Sequence, residues 1–352
     1  SVPSSLVVIF YVFMFGDTYG ITGLLIATFF GLSLQALILI PPAIAAGFRY
    51  KPSFELKDPD VISAGKMTLP VLFGVAAYQL NMFFNTTMIA RFDGMVTLLN
   101  YVQNIVIYMV LAFIYSVTAV VYPKLTASFT RGDMEEYKTT LAGVLESTAA
   151  LLVPITFGFI TVRRPLLELI ANYGKITPTD IDRACMLIVM YSIGILGVGL
   201  KEILDRAFYA AKNTMLPAVN GFIIMAVNVT LSLILTRFIG AYGIPLAYST
   251  ASLAGLCVLL LFLRRKIGGF AKGLGTTLVK CLIAALVMAC AVLAVNAGLD
   301  AAFVSDSVPA RLVKLAVPAC VGVLVYGIMV LVLRVNAIKP VLAKLKSLAS
   351  RA

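Results

Sequence analysis

Long uninterrupted apolar stretches, separated by short polar ones, dominate the chain. They run approximately over 4–16, 21–47, 67–91, 94–122, 139–161, 184–204, 217–236, 241–263, 274–297 and 309–333. Most reach the roughly 20 residues that a helix needs to cross the hydrocarbon core of a bilayer, so the pattern predicts about ten transmembrane helices in an all-α polytopic membrane protein. The stretch 48–66 is polar and carries Pro52 and Pro59, while 123–138, 162–183, 205–216 and 264–273 hold most of the remaining charge and read as loops.

The first run is the exception. It offers about 13–16 residues before Gly16-Asp17-Thr18-Tyr19-Gly20, short for a span. No charged segment precedes it and no cleavage site follows, which argues against a signal peptide. With Ser rather than Met at position 1, the expectation is a chain whose N-terminal part lies outside this sequence.

Composition agrees with the pattern: 61% of the 352 residues are hydrophobic, 12% are charged and the mean hydropathy is +1.00. There is no His, which removes imidazole bases, His metal ligands and Ser-His pairs, so no enzyme activity is expected. The five cysteines fall in or at the ends of apolar runs without a CxxC pair, and read as small packing residues rather than metal ligands or disulfide partners. No metal site is expected. The net charge of +12 is explained by sidedness rather than by nucleic acid. If the C-terminus is cytoplasmic, loops on that side collect 20 of the 28 Lys and Arg residues, including Lys124, Arg131, Lys201, Arg206 and the basic tail, against 8 on the other side. The positive-inside rule then places both ends in the cytoplasm.

Ionisable residues inside the apolar runs are costly and therefore functional candidates, and Glu146 is the clearest of them, near enough to an interface for a solvated or capping role as well. Uncharged polar residues are more frequent. In the third run Tyr78, Asn81 and Asn85 lie at i, i+3 and i+7, and in the fourth Asn100, Gln103 and Asn104 lie at i, i+3 and i+4, so each set shares a helix face. Two readings remain open for these faces: hydrogen bonding between helices, or the lining of a hydrated cavity. Asn228 and Ser232, at i and i+4 in the seventh run with Asn220 a little before them, present oxygens suited to a monovalent cation but no carboxylate. Prolines within runs (Pro41, Pro42, Pro70, Pro154, Pro318) and Gly194, Gly197 and Gly199 serve either bending or close packing.

The stretch Pro123-Lys-Leu-Thr-Ala-Ser-Phe-Thr-Arg-Gly-Asp-Met-Glu-Glu-Tyr137, directly after a span, resembles a cytoplasmic loop of the MurJ (MviN) family, the lipid II flippases of peptidoglycan synthesis. Tyr173-Gly-Lys-Ile-Thr177 with Asp180, Tyr191-Ser-Ile-Gly194, Asp205-Arg-Ala-Phe-Tyr-Ala210 with Pro217, and Asn228 with Gly243-Ile-Pro-Leu-Ala247 continue the resemblance in order. It implies fourteen helices in two six-helix lobes plus a final pair, as in the wider superfamily of multidrug, oligosaccharidyl-lipid and polysaccharide exporters. The ten runs here would be helices five to fourteen. On that map 1–47 holds the last two helices of the N-terminal lobe, 48–66 a cytoplasmic connection, 67–263 the C-terminal six-helix lobe, 274–333 a helix pair with a groove for the lipid tail, and 334–352 a basic cytoplasmic tail.

The resemblance also implies a function: alternating-access transport of a lipid-linked substrate, lipid II, across the bacterial cytoplasmic membrane, with membrane lipids as the other partners and no nucleic acid. The alternative is export of a drug or a lipid-linked polysaccharide by the same superfamily. It makes Asn81, Asn85, Asn100, Gln103 and Asn104 the candidate substrate-cavity residues; Gln103-Asn104 falls where an Asp-Arg pair is usual in the family. Some members bind sodium at positions matching Asn85, Asn228 and Ser232, so the only cofactor implied is a monovalent cation, at a site where this chain has no carboxylate. Small residues Ala284, Ala285, Ala289 and Gly322 are the candidates for the tail groove.

Overall fold

A computed structural model describes residues 2–48, 58–171, 177–268, 273–302 and 308–335. The Tyr173–Ile176 part of the resemblance, most of the polar connection after Phe48 and most of the basic tail fall outside the described residues. The chain divides into two compact units, Ser1–Ile62 and Ser63–Ala352.

The first unit is built on α1 (Val2–Ala45), whose helical geometry breaks once, at Gly20, where φ is +50° and ψ −138°. That φ is disfavoured for any residue with a Cβ, and here it lets the chain fold back. Ser4 and Gly31 would be about 40 Å apart along a straight helix of 1.5 Å rise per residue. Instead, a Cβ on Gly31 would come within 2.9 Å of the Ser4 Cα. The Tyr11 hydroxyl donates to the Gly20 carbonyl at 2.9 Å and so satisfies an acceptor freed by the break. The predicted interruption at 16–20 is therefore the tip of a helical hairpin.

The second unit is helical among its described residues: α2 (Pro59–Ile89, of which 59–62 belong to the first unit), α3 (Met95–Gln103), α4 (Met109–Thr130), α5 (Met134–Ala171), α6 (Pro178–Ser192), α7 (Ile195–Ala210), α8 (Met215–Ile239), α9 (Gly243–Ile267), α10 (Leu274–Ala302) and α11 (Val308–Val332). A π-helical turn, Asn104–Tyr108, joins α3 to α4 into one long helix. Helices α6 and α7 form one bent unit with a 43° change of direction. Each apolar run falls on a helix. Seven helical runs among the described residues are long and apolar enough to cross a membrane, or eight with the bent pair. This is fewer than ten because Pro3–Gly16 is short and Met215–Ile267 is continuous in helical assignment. That last run reverses at Gly240 (φ +60°), which brings Gly255 of α9 against Ile224 and Asn220 of α8.

Helices extend well past their apolar runs. Residues 123–130, which read as loop, continue α4 as far as Thr130, with Leu125 and Ser128 buried. The turn itself is only Arg131–Asp133, closed by Gly132 at φ +75° and by the Asp133 carboxylate, which accepts from the Glu136 N–H at 2.9 Å. Likewise α5 runs on through Arg163, Arg164 and Pro165 to Ala171, and α6 starts in a capping box in which Thr177 and Asp180 bond each other's backbone N–H groups. Hydropathy marks where a helix leaves the bilayer, not where it ends.

The core of this unit gathers large side chains from α3 to α9, among them Ile107, Ile114, Tyr137, Leu152, Tyr191 and Phe208, all fully buried. Glycines set the closest approach. A Cβ on Gly194 would lie 2.6 Å from the Ser249 Oγ, and one on Gly197 2.7 Å from the Leu253 N, so α7 and α9 touch backbone to backbone. Ser249 uses that proximity to donate to the Met190 carbonyl at 2.6 Å, close to the α6–α7 bend. A second cluster joins α10 and α11 to α5. Ala284 and Ala285 belong to it, Ala289 is also buried, and a Cβ on Gly322 would already meet Val292 at 3.1 Å. These small residues allow close packing between helices. Glu146 is half-buried, its carboxylate against Gly273 at the N-terminal end of α10, where the helix dipole favours a negative charge.

Candidate functional site

A cavity of about 730 Å³ opens between α2, α4, α7, α8 and α9. One part of its wall comes from α7, where Lys201, Glu202, Asp205 and Arg206 face it. Their spacing explains the arrangement. Lys201 with Asp205 and Glu202 with Arg206 are both i, i+4 pairs, and Ile203, Leu204, Ala207 and Phe208 bury the opposite side of the helix. The Lys201 Nζ lies 2.5 Å from the Asp205 Oδ2, and an Arg206 Nη 3.0 Å from the Glu202 Oε1. Asp205 is buried, and its Oδ1 has no partner among the described residues. The Arg206 guanidinium sits over the Tyr209 ring at 5.8 Å.

Phenols and carboxamides make up the rest of the polar wall. Tyr78, Tyr108, Tyr115 and Tyr248 contribute from α2, the π turn, α4 and α9, and Gln79 and Asn81 from α2. Charge thus sits at the α7 side and uncharged donors and acceptors around it, against apolar patches such as Val71, Leu111 and Ile224.

Of the five candidate cavity residues, the structure brings one, Asn81, to this wall. Asn85, one turn further along α2, is buried and joins Asn81 in a network with α8: the Asn228 Nδ2 donates to the Asn81 Oδ1 at 2.6 Å and to the Asn85 Oδ1 at 2.8 Å. Gln103 is buried against α2, its Nε2 3.4 Å from the Met82 Sδ. Asn100 and Asn104 are exposed, and the Asn104 Nδ2 donates to the Asn100 carbonyl at 2.9 Å. Asn100 and Asn104 thus share an exposed side of the helix, one turn apart, whereas Gln103 between them turns to the buried side, and a π turn begins at Asn104.

The cation candidates Asn85, Asn228 and Ser232 are drawn together only in part. The oxygens of Asn81 and Asn85 are engaged by an N–H₂ group of the protein itself, and what is left is the Asn228 Oδ1 and the Ser232 Oγ, both buried and without a partner among the described residues. Two neutral oxygens without a carboxylate do not repay the dehydration of a cation in a buried place, so these residues do not fit one.

Sequence reading missed the α7 charges. Lys201 and Arg206 were counted as loop cations, and Asp205 only as part of a motif. The i, i+4 pattern Lys-x-x-x-Asp overlapping Glu-x-x-x-Arg at the end of an apolar run was the available signal.

A helical lobe of long apolar helices, with backbone-close hairpins and an ion-paired cavity walled by five of them, is the architecture of a polytopic membrane protein. The chain belongs to the MurJ family: the model described as lipid II flippase MurJ matches residues 1–314. A Vibrio cholerae protein named probable lipid II flippase MurJ is 28% identical over 239 residues, 67% of this chain and 45% of the relative. The Haemophilus influenzae protein of that name is 28% identical over 280 residues, covering 76% and 54%. Lipid II flippase MurJ of Burkholderia cenocepacia is 25% identical over 216 residues, covering 61% and 42%. The chain thus spans about half the length of the curated relatives it matches. A solved structure titled lipid II flippase MurJ, inward closed conformation, superposes with a TM-score of 0.74 at 21% identity over 96% of this chain and 67% of that one, which shows the shared fold. Family and apolar helices together make this a multi-pass protein of the bacterial inner membrane.

Proposed function

We propose that the full-length protein flips a lipid-linked peptidoglycan precursor, lipid II, across the cytoplasmic membrane by alternating access, and that the α7 cavity is part of the headgroup path. The observation that carries this reading is the family match over residues 1–314, supported by a polar, charged cavity within helices otherwise apolar. A pyrophosphate-linked sugar cannot enter hydrocarbon unaided, since each unsatisfied polar group costs several kcal/mol there. Within the cavity the Lys201 ammonium and the Arg206 guanidinium are the donors for phosphate oxygens, with Arg206 suited to a two-pronged grip. Asn81, Gln79 and the phenols supply the neutral hydrogen bonds that sugar hydroxyl and amide groups require.

Both cations are held by carboxylates, so the cavity is near neutral when empty. An arriving phosphate competes with Asp205 and Glu202 for them, which makes binding reversible, as a transport cycle needs. The loop charges favour a cytoplasmic C-terminus and put the α7 charges toward the cytoplasmic end of the lobe. The test is genetic. Cells depleted of their own lipid II flippase and given the full-length gene are expected to resume lipid II export. Membrane-inserted protein that fails to restore export would overturn the reading, and rescue of drug or polysaccharide export alone would favour the superfamily alternative.

A further inference from the structure

At the opposite end of the same unit, a second cleft of about 650 Å³ lies between α5, α6, α10 and α11. Its depth in the bilayer follows from the sequence: the apolar run of α5 ends at about Thr161 and that of α10 at about Asn296, and the Asn296 Nδ2 donates to the Thr161 carbonyl at 3.0 Å. The cleft is therefore level with lipid headgroups. Its walls are pinned by ion pairs. Arg164 holds Glu168 at 2.9 Å and Asp182 at 3.3 Å, Lys314 holds Asp300 at 3.0 Å, and Arg311 donates to the Glu168 carbonyl at 3.3 Å.

Arg163 stands apart in this set. Half-buried in the cleft wall, it is bonded among the described residues only to the Ile160 carbonyl of its own helix and has no carboxylate partner there, although three carboxylates line the same space. Its remaining N–H groups form the fork that suits a phosphate. Next to it the lining becomes apolar at Leu293, Leu299 and Met186. Leu293 continues a stripe of exposed apolar residues along α10, through Leu286, Ile283 and Val279, at spacings that keep them on one side of the helix. A cationic fork at headgroup depth, above an apolar stripe parallel to the acyl chains, has the two-part chemistry of a phospholipid.

We infer that this cleft binds one membrane phospholipid, its phosphate on Arg163 and an acyl chain along the Leu293 side of α10. The site lies away from the α7 cavity and does not depend on the identity of the transported substrate. The lipid it holds links the α10–α11 pair to α5 and α6.

The experiment is native mass spectrometry of the purified, delipidated full-length protein titrated with phosphatidylglycerol. The wild type is expected to retain one lipid more tightly than the rest. Arg163→Ala lowers its apparent affinity about fivefold, the factor expected of one interfacial cation, while Arg163→Lys retains most of it and Arg183→Ala, on the same end but outside the cleft, retains all. Leu293→Trp fills the apolar part with Arg163 intact and is expected to displace the lipid too, which decides the matter if the Arg163→Ala protein does not fold. Equal retention by the wild type, Arg163→Ala and Leu293→Trp overturns the assignment. So does an Arg163-dependent rise in melting temperature with inorganic phosphate and none with phosphatidylglycerol, because the site would then take a soluble anion.

Discussion

Lys201 and Asp205, one turn apart on α7, form an ion pair of 2.5 Å in which the carboxylate side chain is 9% exposed and the ammonium side chain 25%. A pair this sheltered stabilises little as a pair but costs much when halved. Removing one member of a buried pair destabilises by roughly 3–5 kcal/mol, because the other charge stays desolvated. Lys201 retains some contact with water, so Asp205→Asn is expected to fall toward the lower end of that range. Replacing both (Lys201→Met with Asp205→Leu) should recover most of the melting temperature and still abolish transport. A double variant as unstable as the single one would mean that the pair holds the lobe together rather than serving the cavity.

The Asn228 carboxamide links α8 to two residues of α2. Interhelical hydrogen bonds in membranes average about 0.6 kcal/mol each, and Asn228→Leu also strands two buried oxygens, so a loss of about 1–2 kcal/mol is expected in thermal denaturation. Since an N–H₂ group occupies the space between those oxygens, the wild-type melting temperature should be the same in sodium and choline chloride. Asn85→Asp adds a carboxylate there and should make stability sodium-responsive. A sodium-specific stabilisation of the wild type would contradict the neutral network.

Glycine positions give an internally controlled test of the α7–α9 contact. Gly197→Ala places a methyl 2.7 Å from backbone atoms of Ser252 and Leu253, and overpacking of this kind costs about 1–3 kcal/mol. Gly143→Ala in the interior of α5 meets nothing within 4 Å and should be neutral or stabilising by up to about 1 kcal/mol. Melting curves of the two variants side by side check this, and equal destabilisation would refute the close approach.

The loop charges predict a sidedness that labelling checks. Glu135, at the start of α5, and Thr179, at the start of α6, are both exposed and lie at opposite ends of α5 and its turns. A membrane-impermeant maleimide applied outside intact spheroplasts is expected to label Thr179→Cys and not Glu135→Cys. The reverse pattern would invert the topology.

Much of this was legible in the sequence, for reasons that differ by residue. The apolar runs located every helix because burial in lipid demands them, and Asn81, Asn85 and Asn228 stood out because polar groups there need partners. Their partnership was not legible, since it depends on the packing of α2 against α8, 143 to 147 residues apart. The shared face of Asn100 and Asn104 was legible from their i, i+4 spacing, but which side of the helix packs against α2 and buries Gln103 was not, and Lys201 and Asp205 were missed because charge at the end of an apolar run looks like a loop until the continuing helix is seen. The alanines and Gly322 of the last pair show why small residues are ambiguous in a sequence: they suit a groove and close packing alike, and the contacts of Ala284, Ala285 and Gly322 come only with the structure.

The most direct test of the central claim is translocation of fluorescent lipid II in proteoliposomes containing the purified full-length protein, compared with the Lys201→Ala/Arg206→Ala double variant. Translocation well above empty liposomes, reduced at least about tenfold in the variant (about 1.4 kcal/mol at the transition state) with its fold intact, is the predicted result. No translocation by the wild type, or equal rates in the two proteins, would contradict the account.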